Sequence, residues 1–132
     1  MKLSKFGDYE KIITLPVFSK YRVHIVFTDD VQKSAKERYG SSRKLDNCDG
    51  AHHYDDSGHS HLFYKPDLCI NTLVHEAFHA VYALLYDWAG MDKLDEEVIA
   101  YHLGYITEQV ENFHKEVLIA RKSRKLGEYE SK

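Results

Sequence analysis

The run Ile70-Asn71-Thr72-Leu73-Val74-His75-Glu76-Ala77-Phe78-His79-Ala80-Val81-Tyr82-Ala83-Leu84-Leu85-Tyr86 decides how this chain is read. It is long and apolar, and it predicts a buried helix. Within it stands H-E-x-x-H, from His75 to His79. Two side chains four apart on a helix lie one turn above the other on the same face. Their imidazoles can share one tetrahedral metal ion, and zinc is the usual choice for nitrogen ligands. Glu76 points about 100° around the helix from His75. It is badly aimed to bind the same ion, yet it can reach a water beside it. One helical turn therefore offers two ligands, His75 and His79, and a general base, Glu76. Leu73, Ala77, Ala80, Val81, Leu84, Leu85 and Trp88 fill a broad apolar arc of the helix, with His75, Glu76 and His79 in the remaining sector. Polar groups on a buried helix need partners, and a metal supplies them. The plainer alternative is a helix with two histidines at the edge of a core.

Downstream, Gly90 reads as a helix stop, and Asp92 or Asp95 as a new N-cap. A second, long amphipathic helix from about residue 94 to about residue 122 can return past the first. It brings Glu96 or Glu97 toward the metal. Its apolar positions, Val98, Ile99, Leu103, Ile106, Val110 and Phe113, run closer to Glu96. First-turn acids also suit the helix dipole without any metal. Gly104 falls on the Glu97 side, where a missing side chain would let the two helices approach.

His75-Glu76-Ala77-Phe78-His79 followed by Glu97-Val98-Ile99-Ala100 resembles the gluzincin metallopeptidases, the thermolysin-like clan and its minimal relatives. The pairing is also similar to small metallopeptidase-like proteins of bacteriophages. The matching motifs cover roughly residues 70–105. The resemblance implies Glu97 as the third zinc ligand beside His75 and His79. It also implies Zn2+ as cofactor and a peptide or protein as substrate. The chain departs from the family pattern at Tyr101, where an acid or amide usually follows the alanine.

The 132 residues are enough for one ordinary domain, spanning 1–132. A formal charge of −3 gives no electrostatic case for nucleic acid. The basic cluster Arg121-Lys122-Ser123-Arg124-Lys125 reads as a solvated helix end. Two cysteines, Cys48 and Cys69, make no disulfide framework, and Cys69 reads as a small buried residue. Residues 1–8 carry no apolar signal core, and no stretch is long enough for a membrane span. The expectation is a cytoplasmic protein with nothing processed away.

In chain order, Lys11–Leu15 is compatible with a short strand stopped by Pro16. Tyr21–Thr28 is the clearest strand, with Val23, Ile25 and Phe27 on one face. Asp29 or Asp30 caps a helix over Val31–Tyr39, which Gly40 ends. Residues 41–50 form a polar connector. Residues 51–65 form a hairpin turning at Asp56-Ser57-Gly58. Its second strand, residues 59–65, is placed by analogy with zincins to edge the cleft and take an extended peptide. Pro66-Asp67 opens the metal helix. The order β-α-β-β-α-α predicts an α+β, minimal zincin-like domain. A small mixed sheet lies beside the H-E-x-x-H helix and a long second helix.

Of the hairpin histidines, His52, His53, His59 and His61, most read as alternating exposed residues, with His61 or His53 the ones able to reach the cleft. His59-Ser60-His61 is similar to the H-S-H of deubiquitinase-like isopeptidases, but the serine and aspartate that follow there are missing. No glycine-rich phosphate loop exists, and neither cysteine has the setting of a nucleophile. The expected activity is zinc-dependent hydrolysis of a peptide bond, with Glu76 as general base. Tyr101, His102, Tyr105 or His61 would be the oxyanion donor. The alternatives are a metal-stabilised binding or inhibitor module without catalysis, and a plain α+β domain without metal. The sequence does not choose a substrate, a cleavage preference or an oligomeric state.

Overall fold

A computed structural model describes residues 1–40, 49–93 and 95–130. The architecture is α+β, a four-stranded mixed sheet with three helices, one of them long. The strands are β1 (Tyr9–Thr14), β2 (Arg22–Phe27), β3 (Gly50–Tyr54) and β4 (Ser60–Tyr64). The helices are α1 (Val31–Tyr39), α2 (Ile70–Tyr82) and α3 (Glu96–Glu130), and α2 runs on into a π-helical segment, Ala83–Trp88. Sheet order is β1-β2-β4-β3. The β2–β4 pair is parallel, and the other two pairs are antiparallel.

Local chemistry explains most of the boundaries. Asp30 caps α1 by accepting the Lys33 N–H at 3.0 Å, and Gly40 closes it at φ 61°, a left-handed conformation that glycine adopts without strain. Asp55 organises the hairpin turn by accepting the N–H groups of Ser57 and His59 on one carboxylate oxygen. Asp95 Oδ1 accepts the N–H groups of Glu97 and Val98 at the start of α3, so Asp95 is the cap rather than Asp92. Helix α2 begins at Ile70, later than Pro66-Asp67 had suggested, and α3 extends to Glu130, beyond the expected 122.

The sheet separates two apolar clusters. On one face Val23, Ile25, Phe27, Leu62 and Tyr64 meet Leu73, Ala77, Ala80, Val81 and Leu84 of α2 and its continuation. Ile106, Val110, Phe113 and Val117 of α3 close the same cluster. On the other face Val26, Phe63 and Ala51 meet Val31 and Ala35 of α1. Each large side chain fully buried here is worth about 1.5–3 kcal/mol. Two polar ties set α2 against this frame. The Tyr64 hydroxyl donates to the Leu73 carbonyl at 3.1 Å, and His114 of α3 donates from Nε2 to the Pro66 carbonyl at 2.6 Å.

Four expectations need correction. The strand before α2, β4, lies inside the sheet, because β2 pairs with it in parallel. The last strand on that side is β3. Cys69 is exposed, since it sits just outside the first turn of α2 rather than in its apolar interior. Gly104 faces solvent, and a Cβ there would meet nothing within 4 Å, so it does not serve helix packing. Lastly, α2 is buried on one side only: Val74, His75, Phe78, His79, Tyr82 and Tyr86 are exposed, because among the described residues nothing covers the face turned from the sheet and α3. The connector 41–48, with Cys48, lies outside the described residues.

Candidate metal centre

His75 and His79 lie on the exposed side of α2, and their Nε2 atoms come to 3.3 Å of each other. Two nitrogen ligands bound 2.0–2.1 Å from one tetrahedral ion are separated by about 3.3 Å. The rings stand at 77° to each other, with centroids 4.9 Å apart, and the two Nε2 atoms are within hydrogen-bond distance of each other. The chemistry and spacing of this donor pair fit a zinc-type ion. Glu76 is next to it but turned inward. Its carboxylate Oε1 is 3.9 Å from His75 Nε2, and its side chain is only 12% exposed. Burial pushes the Glu76 carboxyl up, against a downward pull from His79 and His75.

Glu76 fits where it does because β3 begins with glycine. A Cβ at Gly50 would come 2.6 Å from Thr72 Cγ2 and 3.1 Å from Glu76 Cγ. The backbone of β3 therefore lies against the turn of α2 that carries Glu76, at a distance that no larger residue allows without a shift.

Glu97, the third ligand implied by resemblance, is exposed in the first turn of α3, as is Glu96. Among the described residues no three His, Cys, Asp or Glu side chains are gathered closely enough to hold an ion. The structure thus assembles the helical pair and the base, and leaves Glu97 apart from them. The proposed oxyanion donors also separate. The Tyr105 hydroxyl is engaged with the Thr14 carbonyl at 3.3 Å. His102 is buried against Phe18. Its Nδ1 donates to the Val98 carbonyl at 2.8 Å, and its Nε2 is buried without a partner among the described residues. Tyr101 remains exposed. His61 lies on the opposite face of the sheet, in register with His24 and beside Tyr39 of α1.

The histidine that does face the dyad is His52, which the sequence left among the bland ones. It pairs in register with Leu62, one of the residues packed toward α2. Its ring lies near-parallel to that of His79, at 24° and 6.0 Å between centroids. Its Nε2 is 2.8 Å from Ser60 Oγ, which in turn is 2.6 Å from the Tyr21 hydroxyl. Ser60 and Tyr21 are fully buried. Burial, then the neighbouring His79, His53 and His61, pushes His52 down to about 4. Burial likewise pushes Tyr21 up to about 12, against the Ser60 bond. Alternation could have found His52, had the run Leu62-Phe63-Tyr64 not been apolar on both faces.

The other face carries a second set of polar contacts. His24 and His61 meet through Nδ1 at 2.9 Å. His24 Nε2 reaches Glu10 Oε1 at 2.7 Å, and His61 Nε2 reaches Asp55 Oδ2 at 2.7 Å. Arg38 bonds Glu10 through both carboxylate oxygens and also Asp8. His59 accepts the Arg22 N–H on Nδ1 instead of converging with His61.

No helix among the described residues is long and apolar enough to cross a membrane. Comparison with protein-family models, with curated proteins and with solved structures gave no match.

Proposed function

We propose that this chain is a zinc-dependent hydrolase of minimal zincin-like type, acting on peptide bonds. The observation that carries the reading is the convergence of His75 Nε2 and His79 Nε2 at 3.3 Å, with the Glu76 carboxylate 3.9 Å from His75 Nε2. His75 and His79 would hold the ion. Glu97 is the third ligand on the resemblance to gluzincins. Zinc bound there supplies Lewis acidity toward water and a carbonyl oxygen. Glu76 takes the proton of the attacking water on its carboxylate and returns it to the leaving amine. Its inward, half-desolvated position keeps the carboxylate oriented while the histidines stay accessible. The choice of a peptide substrate rests on the resemblance to gluzincins.

Elemental analysis tests the centre. One zinc per chain is expected in wild type, lost in both His79→Ala and Glu97→Ala. Zinc retained in Glu97→Ala would move the third ligand elsewhere. Glu76→Gln should keep the zinc and lose hydrolysis of a peptide library. Full activity in that variant would rule out the mechanism.

A second reading is favoured by one observation: the His75 side chain is 64% exposed on an open helix face. In that reading the metal stabilises a binding or inhibitor module without turnover, and Glu76→Gln leaves partner binding unchanged.

A further inference from the structure

We infer that His52 is the substrate-facing hydrogen-bond donor of this site, its proton fixed on Nδ1 by the relay Tyr21–Ser60–His52. The inference rests on the hydrolase reading for its role, but its geometry stands apart from it.

The relay has one consistent direction. The Tyr21 hydroxyl is fully buried, and Ser60 Oγ at 2.6 Å is its hydrogen-bond partner among the described residues. A buried phenol proton needs an acceptor, so Tyr21 donates and Ser60 accepts. The single Ser60 proton is then directed to its other neighbour, His52 Nε2 at 2.8 Å. A ring nitrogen that accepts carries no proton, so in the neutral ring the proton is on Nδ1. Running the relay the other way would make Ser60 donate to Tyr21 and would strand the phenol proton in the core. Two buried groups, Tyr21 and Ser60, thus hold His52 in one tautomer and one orientation, its ring lying 6.0 Å from that of His79. His52 Nδ1 has no hydrogen-bond partner among the described residues, and its ring stands on the α2 face of the sheet beside His79, so this N–H is open to a ligand held at the dyad. A peptide carbonyl, whose oxygen gains charge as water adds to it, is the group that such a fixed neutral donor stabilises. Ser60 and Tyr21 are positioning residues, acting through His52.

Four variants and three readouts test this. Nitrogen chemical shifts of wild-type protein should show the His52 proton on Nδ1, and Ser60→Ala should mix the tautomers. A wild-type proton on Nε2 overturns the relay. In peptide hydrolysis, His52→Ala should lose roughly 100-fold in kcat, the scale of one lost oxyanion donor, with zinc content unchanged. His52→Asn places an amide N–H near the Nδ1 position and should recover part of that loss. His52→Gln places it near Nε2 and should not. Unchanged kcat in His52→Ala, or equal behaviour of the Asn and Gln variants, overturns the donor role. Loss of zinc in His52→Ala overturns it too, by making His52 a ligand. Wild-type protein that neither binds zinc nor cleaves peptide overturns the hydrolase reading and the role with it, while the tautomer still reports on the relay.

Discussion

Replacing Glu10 with glutamine should destabilise the fold by about 3 kcal/mol at neutral pH and by almost nothing near pH 2. Glu10 on β1 accepts two hydrogen bonds from Arg38, at 2.8 and 2.7 Å, and contacts His24 Nε2 at 2.7 Å. Burial alone would raise its pKa. The bonds from Arg38 and Ser4 and the charges of Arg38 and His24 outweigh burial and draw it from 4.5 down to about 2. At about 1.4 kcal/mol for each tenfold change in proton affinity, that drop is worth about 3 kcal/mol. The Glu10 side chain is only 18% exposed and that of Arg38 7%, so solvent screens the pair little. The sign follows from the depressed value. The folded protein holds the carboxylate more tightly than the unfolded chain does, so the contribution is complete above about pH 4.5. It is lost as the pH falls toward 2. Glu10 also bonds Arg38 and His24, so the substitution removes a partner from each, and the gap measures everything the Glu10 carboxylate contributes at this site. Urea unfolding of wild type and Glu10→Gln, from pH 7 down to pH 2, reads it directly. A stability gap that is the same at every pH, or that is absent at pH 7, would refute the reasoning.

Two further substitutions probe the packing around the centre. Gly50→Ala forces a methyl group against Thr72 and Glu76, and should lower stability by about 1–3 kcal/mol, read as a fall in Tm. An unchanged Tm would mean that β3 does not press on α2 at this point. His102→Leu removes a buried Nε2 that has no partner, so urea unfolding should show equal or higher stability despite the lost bond to Val98. A loss above about 2 kcal/mol would show that this nitrogen is satisfied in solution.

The contacts of His24 and His61 bear on the same pH range. Three contacts join two imidazoles and two carboxylates, and satisfying all three takes three N–H protons. Two neutral rings carry two. All three contacts are therefore satisfied only when one of the two imidazoles carries a second proton. Burial pushes both imidazoles down, against the pull of those carboxylates. Only the fold creates this set, since His24 and His61 are 37 residues apart.

What the chain determined by itself is local. The four-residue spacing of His75 and His79 is one helical turn, and it sets the two imidazoles side by side on one face whatever surrounds the helix. Asp30, Gly40, Asp95 and the hairpin turn at Asp55–Gly58 act on backbone groups within a few residues of themselves. The alternation of Val23, Ile25 and Phe27 declares one core face. What tertiary structure decided is which faces meet. The parallel pairing of β2 with β4 places β3 at the end of the sheet, and that register turns His52 toward α2 and His61 toward α1. The apolar pattern of α2 suggested burial all round. Whether its second face is covered depends on what else the chain packs there, and α3 takes only one side. Glu97 is set by the path from α2 into α3, and spacing along the sequence does not fix a distance across two helices. Backbone periodicity acts over one turn or two residues, whereas the neighbours of a face come from residues tens of positions away.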